Sequence, residues 1–136
     1  INIAFEFRDK TWLTSTVYSV FKRLKWGIVG TVIIKSSDNI KWVGNMPNKI
    51  FLPPKTSNFN YIRVHGEERW KGSLSIKIIK EILNKLDKQQ TEISYLMFNN
   101  SFFKKKTQRC EINGRVIKSA AICDSIKAAN LSDGKI

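Results

Sequence analysis

Leu74-Ser75-Ile76-Lys77-Ile78-Ile79-Lys80-Glu81-Ile82-Leu83-Asn84-Lys85-Leu86-Asp87-Lys88 carries the strongest periodic signal in the chain. Ile78, Ile79, Ile82, Leu83 and Leu86 recur at steps of three and four, which gathers them on one stripe of an α-helix. Lys77, Lys80, Glu81, Lys85 and Lys88 occupy much of the remaining surface, so one face is built to be buried and the other to be wet. Ser73 stands where an N-cap would accept the free amide protons of the first turn. Such a helix needs a surface to cover, and the segments on both sides of it read as strands.

Upstream, Ile1, Ile3, Phe5 and Phe7 alternate with Asn2, Ala4, Glu6 and Arg8, the period of a half-buried strand. Thr11 to Phe21 is rich in Thr, Val, Trp, Tyr and Phe and is expected to be a second strand. Its rival is a helix with Leu13, Val17, Val20, Phe21 and Leu24 on one face. Ile28 to Lys35 is a clearer strand, turned by Ser36-Ser37-Asp38-Asn39 into a hairpin partner over Ile40 to Asn45. Pro47, Pro53 and Pro54 mark loop, and Tyr61 to His65 is a short strand. A charged loop from Gly66 to Gly72 leads into the helix. Downstream, Ile93 to Phe98 and Phe102-Phe103 are apolar enough to pack. Asn113-Gly114 turns a hairpin over Arg109 to Ile117, and Ala120 to Ala129 forms a short helix. The fold expected is α+β: an antiparallel sheet backed by one long amphipathic helix, with a further hairpin and short helix at the C-terminus. One domain spans residues 1–130, and 131–136 is a frayed tail.

The charge balance narrows the function. Twenty-four Lys and Arg against eleven Asp and Glu give a formal +13 in 136 residues, which favours a polyanionic partner. At 42% apolar residues the chain can build a core, so a disordered basic tail is excluded. No run of apolar residues is long enough for a membrane span, and Ile1 to Phe7 has no signal-peptide pattern. An intracellular place, cytoplasmic or at the nucleoid or nucleus, is expected. The first residue is Ile rather than Met, which reads as a trimmed or partial chain. Cys110 and Cys123, with a single histidine, cannot complete a Cys/His zinc site, and two reduced thiols are expected. No metal site is expected, and no cofactor, since the glycine-rich phosphate-loop and dinucleotide patterns are absent.

Cations and aromatic rings interleave in Lys22-Arg23-Leu24-Lys25-Trp26, Lys41-Trp42, Arg69-Trp70-Lys71 and Phe102-Phe103-Lys104-Lys105-Lys106. Cations neutralise phosphates, and a flat ring gives an unpaired base a surface to stack on. The chain is therefore expected to bind DNA or RNA without catalysing a reaction. Phosphate contacts are assigned to Lys22, Arg23, Lys25, Lys41, Arg69, Lys71, Lys104, Lys105, Lys106 and Arg109, and stacking to Trp26, Trp42 and Trp70. Two other classes stay open. In one, His65 with Glu67 and Glu68 serves general acid–base cleavage of RNA, as in a small metal-independent ribonuclease or toxin. In the other, the chain is a basic interaction or assembly module with an acidic protein partner. A membrane surface is not expected to be a partner.

One stretch, covering residues 28–88, resembles the stage V sporulation protein G family. The resemblance rests on Gly30-Thr31-Val32-Ile33-Ile34-Lys35, a polar turn, Lys41-Trp42-Val43-Gly44-Asn45-Met46-Pro47-Asn48-Lys49, then Tyr61-Ile62-Arg63-Val64-His65 and an amphipathic helix. Gly66 departs from it, standing where that family has proline. The resemblance implies a small sheet-and-helix protein, a homodimer through strand pairing, that binds DNA and RNA. Lys35, Lys41, Lys49 and Arg63 would be the contacts.

Overall fold

The stripe Ile79, Ile82 and Leu86 does become the core. The computed structural model describes residues 1–33, 49–66, 71–100, 102–103, 108–112 and 114–134. In it a helix runs over Ile76–Gln89, α2 in chain order, after α1 at Ser15–Leu24. Ile79 and Ile82 are fully buried against Val32, Ile62 and Val64. At about 1.5–3 kcal/mol for each large apolar side chain removed from water, this burial outweighs any local preference. The N-cap is Ser75, whose hydroxyl accepts from the Ile78 amide at 3.4 Å. Ser73, two residues earlier, is drawn instead into a polar network with a third helix. Gln90 closes α2 in the left-handed region at φ 49°.

Eight strands accompany the helices among the described residues: β1 at Ala4–Phe5, β2 at Gly27–Ile28, β3 at Gly30–Ile33 and β4 at Lys49–Phe51. The rest are β5 at Phe59–Val64, β6 at Ile93–Phe98, β7 at Cys110–Ile112 and β8 at Arg115–Ile117, followed by α3 at Ala120–Ser132. The α+β class and the C-terminal hairpin and helix are as the sequence indicates. The main sheet is mixed rather than antiparallel. Its order is β4-β3-β5-β6, with β3, β5 and β6 mutually parallel and only β4 antiparallel. The cause is the connection: a chain that spends fourteen residues on α2 between β5 and β6 returns to the starting edge and enters its next strand in the same direction. β1, α1 and β2 repeat this layout, and β1 pairs in parallel with β2. The proposed hairpin partner Ile40 to Asn45 lies outside the described residues.

Thr11 to Phe21 is not a strand. Lys10–Trp12 forms one 3-10 turn, and α1 follows, capped by Thr14, which accepts from the Val17 amide at 3.3 Å. The β-branched residues lose because Phe21 is buried at the centre of an aromatic cluster. Its ring centroid lies 5.3 Å from Phe5, 5.6 Å from Phe7 and 5.8 Å from Trp26. A helix is what aims Phe21 at that cluster, and packing overrides propensity.

Cys110 and Cys123 form a disulfide, against the expectation of free thiols. The hairpin β7–β8 packs on α3, which brings the first residue of β7 to the first turn of the helix, with Cα atoms 6.2 Å apart. Cys123 is fully buried. The bond closes a loop of thirteen residues, a length for which cross-linking is worth about 3 kcal/mol. Thiol titration of the native protein should find no reactive thiol. A Cys110→Ser/Cys123→Ala double variant should lose about 2–3 kcal/mol in urea unfolding; unchanged stability would show that the bond contributes nothing. Among the described residues no helix is long and apolar enough to cross a membrane.

Candidate functional site

Alternation along the parallel strands divides the sheet into two faces. Ile62, Val64, Leu96 and Phe98 turn toward α2 and the core. Phe59, Tyr61 and Arg63 of β5, with Tyr95, Met97 and Asn99 at β6, line the opposite face. Tyr61 registers with Tyr95 and Arg63 with Met97. Together with Asn2, Ala4, Glu6 and Val29 they border an open cleft of about 660 Å³. Parallel sheets normally bury both faces, yet Ile93, Tyr95 and Met97 are more than a third exposed.

The polar end of this cleft lies where the parallel strands finish. Glu6 follows β1, Arg63 is the next-to-last residue of β5, and Asn99 follows β6. Arg63 donates from Nη1 to the Glu6 carboxylate at 2.5 Å. With its amide oxygen turned inward, Asn99 accepts from Arg63 Nε at 3.1 Å and from the second terminal nitrogen of the same guanidinium. The second Glu6 oxygen lies 3.1 Å from Arg8 Nη2. Two guanidiniums therefore share one carboxylate, leaving a local charge of +1. The Arg63 fork is fixed by charge-assisted bonds, while Arg8 stays about half exposed. Beside Arg8 in the chain, Phe7 stacks on Trp12, with centroids 5.6 Å apart and planes 6° from parallel. Trp12 is 56% exposed.

His65 sits behind this edge, 1% exposed, its backbone amide donating to Val32 at 2.9 Å. Burial, and after it the Arg63 guanidinium, pushes the imidazole down to about 4. Burial therefore favours the neutral imidazole over the imidazolium. The shift has a sign for stability. Below its ordinary pKa the unfolded chain takes up a proton that the folded ring refuses. Stability is therefore full above pH 6.5 and falls as the pH drops toward 4, by about 3 kcal/mol in total. Urea midpoints from pH 7 to 5, above most carboxylate titration, should decline in the wild type and stay flatter in His65→Gln. Parallel curves would remove His65 as the cause.

Among the described residues, those singled out from the sequence are spread over several elements. Lys22, Arg23 and the C-cap Lys25 are exposed at the end of α1, which leads straight into the start of β2. They therefore sit at the N-terminal end of the strands, away from Glu6 and Arg63. Trp26 is half-buried, its ring centroid 5.0 Å from Phe5. Lys71 bridges to Phe102, and exposed Arg109 precedes β7. Lys49 opens β4, and among the described residues of the set Arg63 alone lines the cleft. Lys35, Lys41, Trp42, Glu67, Glu68, Arg69, Trp70, Lys104, Lys105 and Lys106 lie outside the described residues. The sequence reading missed Glu6, Arg8, Trp12, Tyr61, Tyr95 and Asn99. The available signal was a charge set inside apolar strands, Glu6 between Phe5 and Phe7 and Arg63 between Ile62 and Val64.

The family described as "Protein of unknown function DUF72" matches residues 1–111. No curated protein matches the sequence. A crystal structure of a DUF72 family protein from Thermotoga maritima superposes with a TM-score of 0.64 at 18% identity, over 98% of this chain and 46% of that one. The chain thus spans about half the length of that relative. These matches overturn the resemblance to the stage V sporulation protein G family, and the backbone shows one reason. Gly66 adopts φ +77°, where proline cannot go, and a Cβ there would lie 2.7 Å from the Lys71 carbonyl oxygen. With the family match covering most of its length, the chain belongs to the DUF72 family.

Proposed function

We propose that the chain binds nucleic acid at the C-terminal ends of its parallel strands, with Arg8 and Arg63 contacting phosphate. The observation that carries this is the sharing of the single Glu6 carboxylate between two guanidiniums, one fixed and one half exposed. Ligands of open parallel sheets gather beyond the carboxyl ends of the strands, and a fixed arginine fork suits phosphate oxygens. The formal +13 of the chain adds long-range attraction for a polyanion. Trp12, stacked on Phe7, supplies an exposed ring beside Arg8. An intracellular place of work goes with this reading.

The test is binding of labelled single- and double-stranded DNA and RNA across a salt series, with the ligand checked for integrity afterwards. Affinity should fall steeply with salt, roughly one unit of log–log slope for each phosphate neutralised. Absence of binding at low salt, or affinity indifferent to salt, counts against the proposal.

A further inference from the structure

The cleft has a second half that phosphate contact does not use. Below Arg63, one two-residue strand step away (about 6.7 Å), lies Tyr61. Its ring centroid is 6.3 Å from that of Tyr95 on the neighbouring strand. Tyr95 also meets Phe59 edge-on at 6.3 Å. Tyr95 and Met97 are exposed although they stand on a strand of a parallel sheet, where such side chains are ordinarily covered. The cleft therefore offers an aromatic and thioether floor at one end and a positively charged rim at the other. A base and its own phosphate are separated on this scale and have the matching chemistry.

We infer that the cleft takes one unpaired nucleotide of a single-stranded nucleic acid, its base on Tyr61 and Tyr95 and its phosphate at Arg63. This rests on the nucleic-acid reading above and adds to it a preference for single strands. A paired base cannot leave its stack to reach the cleft without an unpairing cost, whereas an unpaired base can. Tyrosine faces accept any base, so the contact favours strandedness over sequence. Arg63 suits the rim role because Glu6 and Asn99 hold its plane before any ligand arrives.

The experiment compares wild type, Tyr95→Ala and Tyr95→Phe by fluorescence anisotropy. The probes are a twelve-nucleotide oligothymidylate and a twelve-base-pair DNA duplex at one low salt concentration, with thermal unfolding of each variant as a check on folding. Wild type should bind the single strand more tightly. Tyr95→Ala should weaken it roughly tenfold while leaving the duplex unchanged, and Tyr95→Phe, which keeps the ring, should restore wild-type affinity. Equal weakening of both ligands, or no change in a wild type that binds, overturns the cleft assignment and leaves the phosphate contacts standing. A wild type that binds neither probe overturns both.

Discussion

Replacing Asp124 with alanine is expected to cost about 3–5 kcal/mol of folding stability, the range for removing one partner of a buried charged network. Asp124 is fully buried on α3. Its carboxylate accepts from Ser73 Oγ at 2.5 Å, the Leu74 amide at 2.8 Å and Asn100 Nδ2 at 2.6 Å, and lies 3.4 Å from Lys127 Nζ. Lys127 in turn donates to Ser73 Oγ at 2.8 Å and to the Leu74 carbonyl at 3.2 Å. Alanine would strand the buried Leu74 amide and leave one of the two acceptors of the Asn100 amide missing. The other, the Gly72 carbonyl at 2.8 Å, remains. Asp124→Asn, which keeps the shape and one acceptor oxygen, should cost less. A urea unfolding curve for Asp124→Ala within 1 kcal/mol of wild type would refute the network's importance. The network also bears on the candidate site. Asn100 is tied to α3 through it, and the preceding Asn99 is the residue that holds the Arg63 guanidinium.

Arg8→Glu should lower affinity for single-stranded nucleic acid at least tenfold at low salt and reduce the log–log salt slope by about one unit. Glu6 would then face a second carboxylate instead of a cation, and the local charge would change from +1 to −1. Arg8 is about half exposed, so the folding cost should be small. The loss in binding comes both from the missing phosphate contact and from repulsion at the rim. Retained affinity with an unchanged slope would mean that phosphate is neutralised elsewhere.

The sequence made the α2 stripe legible because Ile78, Ile79, Ile82, Leu83 and Leu86 follow one unambiguous period, and the hairpin and final helix followed from Asn113-Gly114 and the alanine-rich run. It misled over Thr11 to Phe21, where β-branched residues outnumber helix formers and the deciding contact, Phe21 against Phe5, Phe7 and Trp26, is tertiary. The parallel pairing was available in principle. A strand at Tyr61, a helix to Lys88 and a strand at Ile93 form a crossover unit, and a crossover requires parallel neighbours. Weight given to short hairpins upstream hid it. The site was less legible still, because Glu6, Arg63 and Asn99 are separated by dozens of residues and meet only once the strands are laid side by side. Lys22, Arg23 and Lys25, which stand out in the sequence by charge, lie at the opposite end of the strands.

Titration of one labelled single strand against wild type, Arg8→Glu and the triple variant Lys22→Ala/Arg23→Ala/Lys25→Ala, all at the same salt, separates a localised site from diffuse attraction. Binding at the strand ends requires the single change near Glu6 to weaken affinity more than the removal of three cations from the end of α1. A triple variant that loses more than Arg8→Glu would contradict it.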